Sequence, residues 1–112
     1  MGLDLAVMPM RFKDMDWWLC TERLSCDRQH ELFESIQMLP AKPIPAKKSV
    51  QVYDDDGIRE VKTDPYGSPL TYLTAGEMSK ARLPKGLTDW NKGIMAFVKS
   101  IPSDTPVILW WH

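Results

Sequence analysis

The stretch that decides the fold is Pro106–His112, PVILWWH, an apolar run that is too short for a packed helix. In a strand, neighbouring side chains point to opposite faces, so this run divides into two sets of three. The sets are Val107, Leu109 and Trp111 on one face and Ile108, Trp110 and His112 on the other. Two interpretations stay open: a central strand buried on both faces, or an aromatic surface that another subunit or a target protein covers.

A second tryptophan pair lies near the start of the chain, in MDWWLC, and the 112 residues include five tryptophans. Tryptophan is common in ordinary cores, and it is also enriched at binding hot spots. The two pairs are therefore the candidate partner-binding residues: Trp17, Trp18, Trp110 and Trp111.

Composition narrows the class of partner. The chain has 14 basic and 15 acidic residues and a net charge of −1, which argues against a long-range field for phosphate and hence against nucleic acid. The opening MGLDLAVMPMRFK lacks a basic region before its apolar run and is shorter than the roughly 20 apolar residues that span a bilayer. Ala6 stands where the myristoylation motif needs serine or threonine. With two cysteines expected as reduced thiols, we expect a cytoplasmic protein that does not bind membranes.

Local patterns predict the first half of the structure. GLDLAVM alternates as a strand, and DWWLCTERL reads as a second extended segment. A helix is predicted within SCDRQHELFESIQML, with Ser25 or Asp27 as its cap and Pro40 as its end. The following PAKPIPAKK is expected to be an exposed connection that cannot pair regularly.

The second half begins with a predicted hairpin. A type I′ turn at Asp56-Gly57 would place Tyr53 opposite Glu60 and Val52 opposite Val61.

Two helices should follow the hairpin. Thr74 and Glu77 form a capping box for a short helix that extends to about Arg82. The last helix should start after Thr88 and end at Pro102, and its predicted buried stripe is Trp90, Ile94, Phe97, Val98 and Ile101.

These elements predict one small α+β domain over residues 1–112. We expect a mainly antiparallel sheet of four to six strands with two or three helices. The terminal strand should be docked beside GLDLAVM, because an apolar terminus must be tied down.

The cysteines and histidines raise a metal hypothesis. Cys20, Cys26, His30 and His112 include every cysteine and histidine of the chain and could supply four ligands to a tetrahedral zinc ion. The spacing of the two cysteines is not that of a zinc knuckle, and the alternative is two small buried cysteines with two unrelated histidines. Cys26 and His30 also lack a visible third group for nucleophilic catalysis, so no catalytic residue and no cofactor is predicted.

Two charged segments have simpler interpretations. The run Asp54–Asp56 beside Gly57 is typical of a hairpin turn rather than a calcium loop. The later helices have a basic bias that favours a solvated surface over a phosphate contact: Lys80, Arg82, Lys85, Lys92 and Lys99.

The opening MGLD with its alternating strand and the ending DTPVILWWH resemble small proteins of unknown function that bacteriophages and prophages encode. The resemblance covers only the two ends and assigns no functional residue. It implies a bacterial cytoplasm and an accessory protein that binds and redirects or inhibits a host or defence protein.

The sequence thus favours a non-enzymatic protein-binding protein that acts through an aromatic surface, with self-association left open. A small metal-binding protein or enzyme using cysteine and histidine is the alternative. A nucleic-acid accessory protein is the second alternative, and it would bind with a steep salt dependence.

Overall fold

Two sheets and a layer of helices make up the structure, a computed structural model that describes residues 3–112. The strands are β1 (Leu5–Pro9), β2 (Phe12–Lys13), β3 (Trp17–Cys20), β4 (Leu24–Ser25), β5 (Lys42–Pro43), β6 (Ser49–Asp54), β7 (Gly57–Val61), β8 (Thr71–Thr74) and β9 (Pro106–Trp111). The helices are α1 (His30–Gln37), α2 (Ala75–Met78) and α3 (Asp89–Ser100).

The predicted α+β class is confirmed, and so is the number of helices. The predicted antiparallel sheet of four to six strands is confirmed by a five-stranded sheet, and the described residues hold nine strands in all because a second sheet of four strands is also present. Three of these strands, β2, β4 and β5, have only two residues, which is too short to show an alternating pattern.

The five-stranded sheet has the order β4-β1-β9-β8-β5, and every neighbouring pair in it is antiparallel. β9 lies at its centre. The predicted docking of the terminal strand beside the first strand is confirmed, with Leu5 opposite Trp111 and Pro9 opposite Val107. Two backbone hydrogen bonds extend the pairing, from Asp4 N–H to the carbonyl of His112 (2.7 Å) and from His112 N–H to the carbonyl of Asp4 (2.9 Å).

The central strand is buried on both faces. On one side of β9, Val107 and Leu109 belong to the core that the helices cover. On the other side, Ile108 and Trp110 belong to a second core that the four-stranded sheet covers. The structure thus has three layers, in the order helices, five-stranded sheet, four-stranded sheet.

The four-stranded sheet has the order β2-β3-β6-β7. The second extended segment of the sequence forms β3, as predicted, and β3 pairs in parallel with β6 so that Trp17 lies opposite Ser49. A parallel pair needs a crossover connection, and here the crossover contains β4, α1 and β5.

The hairpin between β6 and β7 forms with a different turn from the predicted one. Asp54 lies opposite Gly57 and Tyr53 opposite Ile58, so the turn residues are Asp55 and Asp56. A type I′ turn needs positive φ at both central residues, whereas no described residue other than glycine has positive φ. Gly57, at φ 97°, pairs directly with Asp54 and supplies the positive φ immediately after the turn. The turn is centred one residue earlier than predicted, which shifts the pairing between the strands by two residues. Because side chains alternate with a period of two, each strand keeps its predicted buried face.

The first helix starts later than predicted. Leu24 and Ser25 pair with β1, and Cys26 N–H donates to the carbonyl of Leu5 at 2.9 Å, so this segment continues the sheet. α1 begins at His30, and its cap residue Gln29 makes no side-chain capping bond. The sheet therefore removes Ser25 as a cap, and Asp27 lies two residues before the observed cap residue, Gln29.

The segment before α1 is held by a buried side chain of α3. Asn91, which is fully buried, accepts from Asp27 N–H at 2.8 Å and donates to the carbonyl of Asp27 at 3.0 Å. Its amide also donates to the side chain of Gln29 at 2.8 Å. Thr88, the cap of α3, donates to the carboxylate of Asp27 at 2.8 Å. The starts of the two helices are thus joined by one polar network in which Asn91 is satisfied.

The two later helices have the predicted caps. The capping box of Thr74 and Glu77 is present at α2, which ends at Met78 rather than near Arg82. The Thr88 side chain accepts from the N–H of Asn91 at the start of α3.

The predicted stripe of α3 is partly wrong. Its buried residues are Asn91, Ile94, Met95 and Val98, while Trp90 and Phe97 are exposed. The helix is rotated about its axis relative to the predicted orientation, because Asn91 faces the segment before α1 and binds the backbone of Asp27 there.

The proline-rich connection pairs where none was predicted. Lys42 and Pro43 form β5 opposite Tyr72 and Thr71 of β8. Proline is compatible with an edge strand, because its missing N–H can face away from the sheet. The Lys42 ammonium bonds to Glu77 and lies 5.1 Å from the centre of the Tyr72 ring, which fastens this edge to α2.

We expect deletion of residues 107–112 to unfold or aggregate the protein. The deletion removes the strand that pairs with both β1 and β8 and opens both cores. Size-exclusion chromatography and thermal melting by circular dichroism test this, with His112→Ala as a control that keeps the backbone bonds to Asp4. A truncated chain that is monomeric and melts cooperatively would contradict the prediction.

Asn91→Ala should lower the free energy of unfolding by about 2–3 kcal/mol, because it removes three hydrogen bonds of a fully buried amide, two to the backbone of Asp27 and one to Gln29. Urea denaturation at neutral pH measures the change. The control is Lys92→Ala on the exposed side of the same helix, which should stay within about 0.5 kcal/mol of the parent. Equal effects of the two substitutions would show that the network does not stabilise the fold.

Candidate protein-binding surface

The four-stranded sheet has one buried face and one exposed face. Its inward side chains pack against the five-stranded sheet and are Trp18, Cys20, Val50, Val52 and Val61. The side chains between them point the opposite way, and five of these are apolar or aromatic: Phe12, Trp17, Leu19, Tyr53 and Ile58. We call these five residues the outer face.

Strand pairing brings the residues of the outer face together. Phe12 lies opposite Leu19 across β2 and β3, and Tyr53 lies opposite Ile58 across β6 and β7. Phe12 is 49 % exposed, Tyr53 56 % and Ile58 61 %. Neighbouring large apolar side chains with this much exposure are typical of an interaction surface rather than of ordinary solvent-exposed surface.

A shallow depression of about 320 Å³ lies in the middle of the outer face. Trp17, Leu19, Gln51 and Ile58 line it. Gln51 is the polar member, and its amide donates to the hydroxyl of Ser49. The depression thus offers an apolar floor and an amide group to a contacting side chain.

The ends of the outer face carry unpaired carboxylates. Asp16 precedes β3, and Asp55 and Asp56 form the β6–β7 turn; all three are exposed and have no ion-pair partner within residues 3–112. The nearby ammonium of Lys48 is engaged, since it donates to the carbonyls of Asp14 (2.8 Å) and Met15 (2.6 Å). The end of the outer face at the β6–β7 turn is therefore acidic, whereas the end at Asp16 also carries the positive charges of Lys48 and Lys62.

The acidic run Asp54–Asp56 is a turn, as predicted. One carboxylate oxygen of Asp54 accepts from the N–H of Asp56 at 2.9 Å, and the other accepts from Nε of Arg59 at 2.8 Å. The hydrogen bond from Arg59, followed by that from Asp56, lowers the pKa of Asp54. The carboxylate is thus committed to holding the hairpin.

The four candidate tryptophans occupy three environments. Trp17 lies half-buried on the outer face. Trp18 and Trp110 are 7 % and 9 % exposed and lie in the core between the sheets, where Trp18 meets Tyr72 edge-on with ring centres 5.2 Å apart. Trp111 packs against the helix-side core with its ring centre 5.9 Å from that of Phe33. The structure does not bring the four together, and it places only Trp17 on the exposed sheet face.

The four hypothesised zinc ligands are likewise separated. Cys20 lies in the core between the sheets and donates to the carbonyl of Met8 at 3.4 Å, while Cys26 lies in the helix-side core. His30 is exposed at the start of α1 and lies 2.8 Å from Glu34. In the part of the chain that the structure describes, no three cysteine, histidine, aspartate or glutamate residues form a group that could hold a metal ion.

Sequence reasoning missed most of the outer face. Phe12 and Leu19 carry no local signal, because β2 has two residues and the alternation in DWWLCTERL is imperfect. Tyr53 could have been found, since the predicted hairpin already separated it from the valines. The alternating pattern does not show which face of the sheet is exposed to solvent.

The helix side offers a weaker candidate. Lys92 and Lys99 flank a groove of about 260 Å³ that includes the exposed Leu83. Lys92 lies 3.9 Å from Asp89. This groove holds two of the basic residues that the sequence placed on a solvated surface.

Among residues 3–112, no helix has the length and apolarity required to cross a membrane. Comparison of the chain with models of known families, with curated proteins and with solved structures found no match.

The two thiols should be unreactive in the native protein. Burial raises the pKa of Cys20 to about 12, and burial followed by the nearby charge of Asp27 raises the pKa of Cys26 to about 11. Since the thiolate is the nucleophile, iodoacetamide at about pH 8 should leave both unmodified in native protein and label both in denaturant. Mass spectrometry measures the labelling, and rapid native labelling of either cysteine would contradict this.

Proposed function

We propose that this chain is a non-enzymatic protein-binding protein whose outer face contacts the partner. The observation that carries the proposal is the exposed apolar face of the four-stranded sheet, with Phe12, Tyr53 and Ile58 each about half exposed or more. Burial of these side chains would release water from apolar surface, and this release is the main driving force of protein association.

The charges at the rim indicate the class of partner. Asp16, Asp55 and Asp56 would repel the phosphates of nucleic acid and of anionic lipid, whereas they attract lysine and arginine. We therefore propose a protein partner with an apolar contact area and basic side chains that meet the acidic β6–β7 turn. The phage-type role and the bacterial host protein that the chain ends imply remain part of this proposal.

Capture experiments with matched variants test the proposal. Immobilised protein is exposed to bacterial lysate beside a face variant, Phe12→Ser with Tyr53→Ser, and a control variant, Phe97→Ser. Phe97 is 41 % exposed on α3, so the control also removes an exposed aromatic ring but from the helix side.

A partner of the outer face should be retained by the parent and the control and lost from the face variant. After purification of that partner, the face variant should bind it about 5–30-fold more weakly, the effect of losing one or two contacts of about 1–2 kcal/mol in total. Light scattering measures the mass of the protein in solution and would detect a dimer if the partner is a second copy of this chain. Monomeric protein with no capture difference between the two variants would overturn the proposal.

A further inference from the structure

The four edges of the two sheets differ in how they are protected. Sheet edges expose unpaired backbone groups, and proteins protect them with very short strands, proline or charge. The edge strands β2, β4 and β5 have two residues each, and β5 contains Pro43. The fourth edge strand, β7 (Gly57–Val61), has five residues and no proline. It carries two charged residues, Arg59 and Glu60, and an isoleucine, Ile58, that is 61 % exposed.

The outer side of β7 has no neighbouring strand among the described residues. It is the last strand in the order of its sheet. The next pairing along the chain, Thr63 opposite Pro69, begins only after β7 has ended. Alternate residues of an edge strand direct their N–H and C=O groups away from the sheet, so β7 presents a row of free donors and acceptors.

We infer that β7 accepts a strand of the partner protein, which joins the four-stranded sheet as a fifth strand. This inference rests on the proposed function and specifies how the partner is held. Backbone hydrogen bonds would supply affinity, as in other cases of strand addition. Every second side chain of the added strand would extend the outer face beside Ile58 and Tyr53.

The charges of β7 disfavour a second copy as the occupant. When β7 pairs antiparallel with β7 of a second copy, the two-fold axis passes between two directly opposed residues. Each register therefore places one residue opposite the same residue of the other copy. The three registers with the greatest overlap are centred on Ile58, Arg59 and Glu60. The last two oppose like charges within the strand, and the first brings Glu60 opposite Asp56 of the adjoining turn. Like charges directly opposite each other are destabilising.

The same charges describe the strand that would fit. Arg59 uses its Nε to bind Asp54, and its remaining nitrogens can meet an acidic side chain from the position opposite. An apolar residue fits opposite Ile58 on the outer face. Glu60 is already engaged with Ser49 and Lys62, so the position opposite it has little charge preference.

The test uses a synthetic peptide of about seven residues with blocked ends, alternating valine and threonine, and one glutamate placed opposite Arg59. Amide chemical shifts of isotope-labelled full-length protein report where it binds. One control peptide has lysine in place of the glutamate. A second is N-methylated at alternate residues, which removes the backbone donors and leaves the side chains in place.

The largest shifts should lie in β7. The glutamate peptide should bind about two- to fivefold more tightly than the lysine peptide, and Arg59→Glu should reverse that order. The N-methylated peptide should not bind. Equal binding of the N-methylated peptide, shifts centred elsewhere, or no binding at all would overturn strand addition, as would a dimer in light scattering whose contact shifts lie in β7.

Failure here is distinguishable from failure of the proposed function. The capture experiment changes Phe12 and Tyr53 and leaves the backbone of β7 intact. A partner that depends on those two side chains while the peptides fail to bind would keep the outer face as the contact and remove β7 from it.

Discussion

Everything in this fold depends on burying β9 from both sides. The strand carries apolar side chains on both faces and pairs along both edges, with β1 and with β8. The helices cover Val107 and Leu109, and only a second layer can cover Ile108 and Trp110. The four-stranded sheet is that layer. A sheet used as a cover has a second face of its own, and here that face is left with aromatic and aliphatic side chains.

Most of the features that the sequence predicted correctly are determined by local patterns, and the docking of β9 beside β1 is the exception. The alternation of β1 and β9, the capping box at Thr74 and the cap at Thr88 each depend on residues only a few positions apart. The features it missed depend on distant partners. Ser25 could not cap α1 because it pairs with Ala6 of β1, and α3 is rotated because Asn91 binds the backbone of Asp27. Neither partner is visible in the local sequence.

The sequence predicted the type of the candidate site, an aromatic surface, but not its position in the fold. Tryptophan pairs indicated an aromatic surface, yet adjacent residues of a strand face opposite ways, so Trp17 and Trp18 could not both be exposed on one sheet. Which member faces solvent depends on where β3 sits relative to the other sheet. The parallel pairing of β3 with β6, which joins segments on either side of α1, decides this. Tyr53 and Ile58 lie on the same side of the four-stranded sheet as Trp17, so the placement of this sheet leaves them exposed as well.

The pairing of β1 with β9 has a consequence for biosynthesis. Leu5 and Trp111 are on the order of 100 residues apart in the chain, and such distant pairings make folding slow. While the ribosome is still adding the residues of β9, β1 has its long edge unpaired and β8 has no central strand to join. Neither core can close until β9 has left the ribosome, because β9 contributes side chains to both. Until then, the unpaired edges of its apolar strands are exposed to pairing with other nascent chains.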